Sequence, residues 1–161
     1  MGADLFADGE KVPEFLVWAQ KDKHSAPLQR IQIIKGSITN SGARPSERVF
    51  DVVCSDGLEV DPTTHRCPDN GARVNIEDCS ITDNVGATEL KATWRDPDFN
   101  PKDKAFYYVR VLENPTCRWS TWDALKAGVK PRSDMHETIQ ERAWSSPIWY
   151  IPVPEDIDIY A

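Results

Sequence analysis

Four cysteines, at positions 54, 67, 79 and 117, are the first residues in this chain whose type and spacing bear on chemistry. None forms the C-x-x-C pair that would make a zinc or redox reading specific, so structural disulfides are the favoured reading. Four cysteines permit three pairings. Cys54 with Cys67 and Cys79 with Cys117 is the preferred one, because the first bridge closes an irregular stretch locally. A bridge over a loop of that length stabilises by about 3 kcal/mol through the entropy it removes from the unfolded chain. Such bridges persist only under oxidising conditions, so the expected compartment is the periplasm or the exterior. The competing assignment, zinc held by Cys54, His65, Cys67 and Cys79, needs those sulfurs as free thiolates.

No other metal or catalytic constellation is encoded locally. His24, His65 and His136 lack the H-x-H or H-x-x-x-H spacing that places two imidazoles on one ion. Asp96, Asp98 and Asn100 imitate the opening of a calcium loop, but Pro101 stands where the loop needs glycine and Tyr107 where it needs the bidentate glutamate. A plain turn is expected there. Neither a G-x-S-x-G elbow nor a phosphate-cradling glycine loop occurs. No catalytic residue and no cofactor are therefore assigned to the chain.

One patch has binding chemistry. Arg118, Trp119 and Trp122 offer a cation and two aromatic faces in a loop that runs into a helix start. Helix N-termini attract anions, and tryptophan faces suit sugars or partner proteins. The alternative role for all three is to lock that helix to the body of the domain.

The elements that must position these groups follow from patterning. Glu89–Arg95 alternates, with Leu90, Ala92 and Trp94 on one side, as expected for a strand with one wet face. Residues 105–112 form the strongest strand pattern, and Tyr107, Val109 and Val111 share a face. Further strands are expected at 15–19, 30–36 and 47–54, the first two as a pair, and a last one from about Thr138 to Tyr150 with Pro147 marking an edge or bulge. The stretch from Leu58 to Asp83, rich in Asp, Pro, Thr, Asn and Gly, reads as an irregular excursion. One helix is expected where Ser120 and Asp123 fit a capping box and Gly128 can close the C-terminus.

Short strands divided by turn clusters, with one short helix, predict a mainly β fold, an antiparallel immunoglobulin-like β-sandwich. A single domain over residues 1–151 and a flexible acidic tail over 152–161 are expected. The chain has 161 residues, 40% of them apolar, enough for one hydrophobic core. Its formal charge of -7 opposes nucleic-acid binding, which requires clustered Lys and Arg to displace counterions. No apolar run approaches the roughly 20 residues of a membrane span, and Met1–Asp8 lacks the blocks of a signal peptide.

Two long runs, residues 105–124 and 138–150, closely resemble the DUF3604 family, and Met1–Leu5, Phe15–Ala19 and Arg30–Gly36 are similar to its segments in the same order. The resemblance covers nearly the whole chain. It implies that this stretch is the carboxy-terminal part of a longer bacterial protein, because Met1 corresponds to an internal position of the family. The amino-terminal part of such proteins resembles PHP-type metal-dependent hydrolases and carries a histidine-rich metal motif with no counterpart here. On this resemblance a divalent metal belongs to that part alone. The hydrolase part is then the expected partner, and the β-domain a non-catalytic brace or cap on it. Full-length members are often exported, in agreement with the cysteine argument.

Overall fold

A computed structural model of the chain describes residues 2–6, 11–38 and 44–152. Among them the elements are, in order, β1 (Ala3–Phe6), β2 (Glu14–Gln20), β3 (Leu28–Ile38), β4 (Ser46–Cys54), β5 (Glu89–Arg95), β6 (Lys104–Glu113), β7 (Thr116–Cys117), α1 (Trp119–Lys126), β8 (Thr138–Ile139), β9 (Arg142–Trp144) and β10 (Ile148–Ile151). The fold is mainly β, with one short helix. The expected tail lies outside the described residues apart from Pro152.

The larger layer is a sheet in the order β1-β10-β6-β3-β4, with β9 also on β6. Every pairing in it is antiparallel except β1 with β10. The smaller layer is the antiparallel pair β2-β5. Alternation dictates how the two meet. Phe15, Val17 and Ala19 of β2 and Leu90, Ala92 and Trp94 of β5 join Ile31 and Ile33 of β3 and Tyr107, Val109 and Val111 of β6 in one core. Their neighbours in sequence point away, so Leu16 and Trp18 are exposed. The result is a β-sandwich whose second layer has two strands.

The strand at 15–19 does not pair with the strand at 30–36, as patterning alone had led us to expect. Residues 14–20 pair with 89–95, Val17 opposite Ala92, while β3 is flanked by β4 and β6. The two segments lie in facing layers. Period-2 patterning fixes which face of a strand is buried, not which strand lies beside it.

The last strand also differs from expectation, being broken into β8, β9 and β10. Pro147 has no N–H for the ladder. Just before it, Ser145 takes over, its amide donating to Val109 O at 3.0 Å and its hydroxyl accepting from Val109 N at 2.9 Å. β9 and β10 thus pair with successive parts of β6 across a break.

The helix starts one residue before the expected cap. Arg118 is the N-cap and makes no side-chain capping bond, so Ser120 lies inside the helix and no capping box forms. Tertiary contacts replace it, since the Thr121 hydroxyl donates to Glu137 O at 2.7 Å. The other end is as expected. Gly128 takes φ +67°, its amide donates to Leu125 O, and Val129 N donates to Ala124 O, the double closure of a Schellman cap.

Between β4 and β5 the chain forms no strand, only two isolated bridges, Val74–Ile81 within the segment and Ala87–Leu28 to the start of β3. Short side chains hold it locally: Asp61 accepts from Thr63 and Thr64 N, Asp69 from Gly71 N, and Asp78 from Ser80 N. Two disulfides, Cys54–Cys67 and Cys79–Cys117, tie it to β4 and β7. With all four sulfurs bonded, the zinc set Cys54, His65, Cys67 and Cys79 is not assembled.

Candidate functional site

Three polar or aromatic groupings stand out, and their accessibility separates structural from functional roles. The first lies between the layers. Lys35 of β3 places its ammonium 2.5 Å from Asp96 Oδ2, and the Tyr107 hydroxyl donates to the same carboxylate at 2.8 Å. Lys35 Nζ also donates to Asp98 O at 2.8 Å. The two charged side chains are 8% and 0% exposed. Burial, and then the bond to Asp96, push the Tyr107 phenol above its ordinary value, so it stays protonated and donating. Every group here has an internal partner, which makes this a core anchor. It also accounts for the failed calcium loop, because Asp96 is already committed to Lys35.

The second grouping lies on the opposite, outer face of the large sheet. The register sets Glu47, Gly36, Phe106, Trp149 and Asp4 in one row across five strands. The Phe106 ring lies so close over Gly36 that a Cβ there would sit 2.2 Å from it. Phe106 stacks on Tyr108 with centroids 6.3 Å apart at 11°, and meets Trp149 at 5.3 Å. Gly36, Ile38, Phe106, Trp149 and Ile151 line a mainly apolar hollow of about 740 Å³, with the Trp149 side chain still 49% exposed. Two rows further on, Trp144 is 57% exposed and lies opposite Arg110, which donates to Gln32 Oε1 at 2.7 Å. Gln32 in turn donates to Asp51 Oδ1 at 2.5 Å.

Patterning had not singled out this aromatic face, yet a signal was present. Residues 105–109, Ala-Phe-Tyr-Tyr-Val, are apolar or aromatic at every position. A strand with one face in water alternates, whereas one covered on both faces does not.

The third grouping contains a residue expected from sequence. Arg118 is half-buried and lines a shallow hollow with Arg30, Arg73, Arg142 and His136. Trp119 and Trp122 do not line it. They stand on α1, 69% and 42% exposed. His24 is exposed, and His65 packs edge-on against Phe50 at 5.2 Å. Among the described residues no three His, Cys, Asp or Glu side chains gather as metal ligands. No helix there is long and apolar enough to cross a membrane.

A family model described as "protein of unknown function (DUF3604)" matches residues 1–152. No curated protein and no solved structure matches the chain.

Proposed function

The chain belongs to the DUF3604 family, and from that premise we propose that it is a non-catalytic β-domain bracing or capping a metal-dependent hydrolase part of a longer protein. The aromatic outer face is the observation that carries this reading. Phe106, Tyr108, Trp144 and Trp149 form a surface whose tryptophans are about half exposed, on a strand patterned for cover on both sides. Large exposed apolar surfaces on a soluble domain mark contact sites, and buried aromatics dominate such contacts. The two disulfides support a periplasmic or secreted setting. The divalent metal of this reading sits in the hydrolase part.

The test is association of this chain with the separately purified amino-terminal part of a full-length family member. Trp149→Asp is expected to weaken it by about tenfold or more, as for an interface anchor, with the domain still folded. Unaltered association would remove the outer face from the interface. Hydrolysis of phosphoesters or arylsulfates by the chain alone with added Mn or Zn, abolished by chelation, would contradict the non-catalytic role.

A second reading, a free-standing ligand-binding module, rests on the exposure of Trp119 and Trp122 beside Arg118. Its signature is glycan-array binding that Trp119→Ala abolishes.

A further inference from the structure

The hollow beside Arg118 concentrates positive charge on a chain whose net charge is -7. Arg30 at the start of β3, Arg73 in the excursion, Arg118 before α1 and Arg142 on β9 line a space of about 650 Å³, and His136 joins them. Asp69 is the carboxylate among the lining residues, and it is engaged. It accepts from Arg73 Nη1 at 3.1 Å and Nη2 at 2.5 Å, and this pairing holds it down at about 2, so it remains an anion turned to Arg73. Arg118 and Arg142 have no carboxylate within ion-pair distance among the described residues.

The second observation concerns hydrogen bonds. Among the described residues, two buried side-chain polar atoms lack any partner, and both are guanidinium nitrogens of this hollow, Arg30 Nε and Arg118 Nε. The nearest acceptor charge to Arg30, Asp51 Oδ2, is 3.9 Å away, too far for a hydrogen bond. Buried donors in folded proteins are almost always satisfied. Both unmet N–H groups belong to arginines that line one cationic hollow, and an acceptor seated between those side chains would satisfy them. A guanidinium bonds an oxyanion side-on through Nε and one Nη, a two-point contact that a planar fork makes and an ammonium does not.

We propose that this hollow binds a compact tetrahedral oxyanion, the phosphate or sulfate group of a small ligand, between Arg30, Arg118 and Arg142, with Arg73 held at its rim by Asp69. The site uses side chains other than the aromatic ones of the outer face, so its test reads separately from that of the bracing role.

Calorimetric titration of the disulfide-intact chain at low ionic strength tests it, with inorganic phosphate, inorganic sulfate and acetate as probes. Saturable one-site binding of phosphate or sulfate is expected, at least tenfold tighter than acetate. Phosphate binding alone identifies a phosphoryl ligand and sulfate binding alone a sulfated one. The double variant Arg118→Gln/Arg142→Gln should lose at least tenfold in affinity, while Arg132→Gln, at an exposed arginine paired with Asp134 away from the hollow, should bind as the parent does. Should the double variant not fold, Arg118→Lys retains the charge but not Nε, and is expected to lose most of the affinity. No saturable binding of either tetrahedral anion overturns the proposal. So does affinity unchanged in Arg118→Lys, or a loss in Arg132→Gln as large as that in the double variant.

Discussion

Asp96→Ala is expected to destabilise the domain by about 3–5 kcal/mol, the range for removing one partner of a buried ion pair. The cause is what remains. The Lys35 ammonium, 8% exposed, would keep its bond to Asp98 O but lose its counter-charge, and the Tyr107 hydroxyl would lose its acceptor. Since domains of this kind are stable by about 5–15 kcal/mol in total, such a loss would leave some preparations partly unfolded at ambient temperature. Urea unfolding should show a large fall in midpoint at unchanged slope. A coupled replacement sharpens the test. Lys35→Met with Asp96→Leu removes both charges at once, and should recover most of the loss because desolvation of the pair offsets much of its attraction. A cost below about 1 kcal/mol for Asp96→Ala would show that water reaches this site.

Removing the Cys79–Cys117 bridge by Cys79→Ala/Cys117→Ala should cost about 4 kcal/mol, from the loop entropy of a crosslink spanning 38 residues. The same estimate for Cys54–Cys67, which spans 13 residues, is about 3 kcal/mol. The longer bridge matters more for a further reason. The segment between β4 and β5 has few buried apolar residues, Ala72 and Cys79 among them, and its bridge to the sandwich, Ala87–Leu28, lies at its very end, so the stretch around Cys79 depends on the crosslink. Thermal or urea unfolding of both double variants without reductant is the measurement. A smaller loss for the Cys79–Cys117 variant than for the Cys54–Cys67 variant would show that the excursion keeps its place without the crosslink.

Features governed by neighbours in sequence are legible in the sequence itself. The alternation in 89–95 and 105–112 identified the inward faces of β5 and β6, and Gly128 marked the helix end because a left-handed C′ residue favours glycine. The helix start was misplaced. Ser120 and Asp123 carry a capping pattern, but Thr121 bonding to Glu137 fixes the first turn from outside the helix. Strand partners were also invisible, since β2 meets β5 across about 70 residues and nothing in residues 14–20 specifies that distance.

The candidate sites divide in the same way. Arg118 was recognisable from the run Cys117–Trp122, but its companions Arg30, Arg73 and Arg142 come from other elements and carry no local motif. The aromatic face was encoded in 105–109, yet its partner Trp149 is placed there only by β10 pairing with β6. Burial preference, turn chemistry and oxidisable cysteines act over a few residues, so one-dimensional order was enough to yield the mainly β class, the strand faces and the crosslinks. Layer partnership, the buried Lys35–Asp96 pair and the gathering of four arginines depend on contacts between residues tens to about a hundred positions apart. Chain packing alone decides those, because the free energy that selects them arises only when the two surfaces exclude water together.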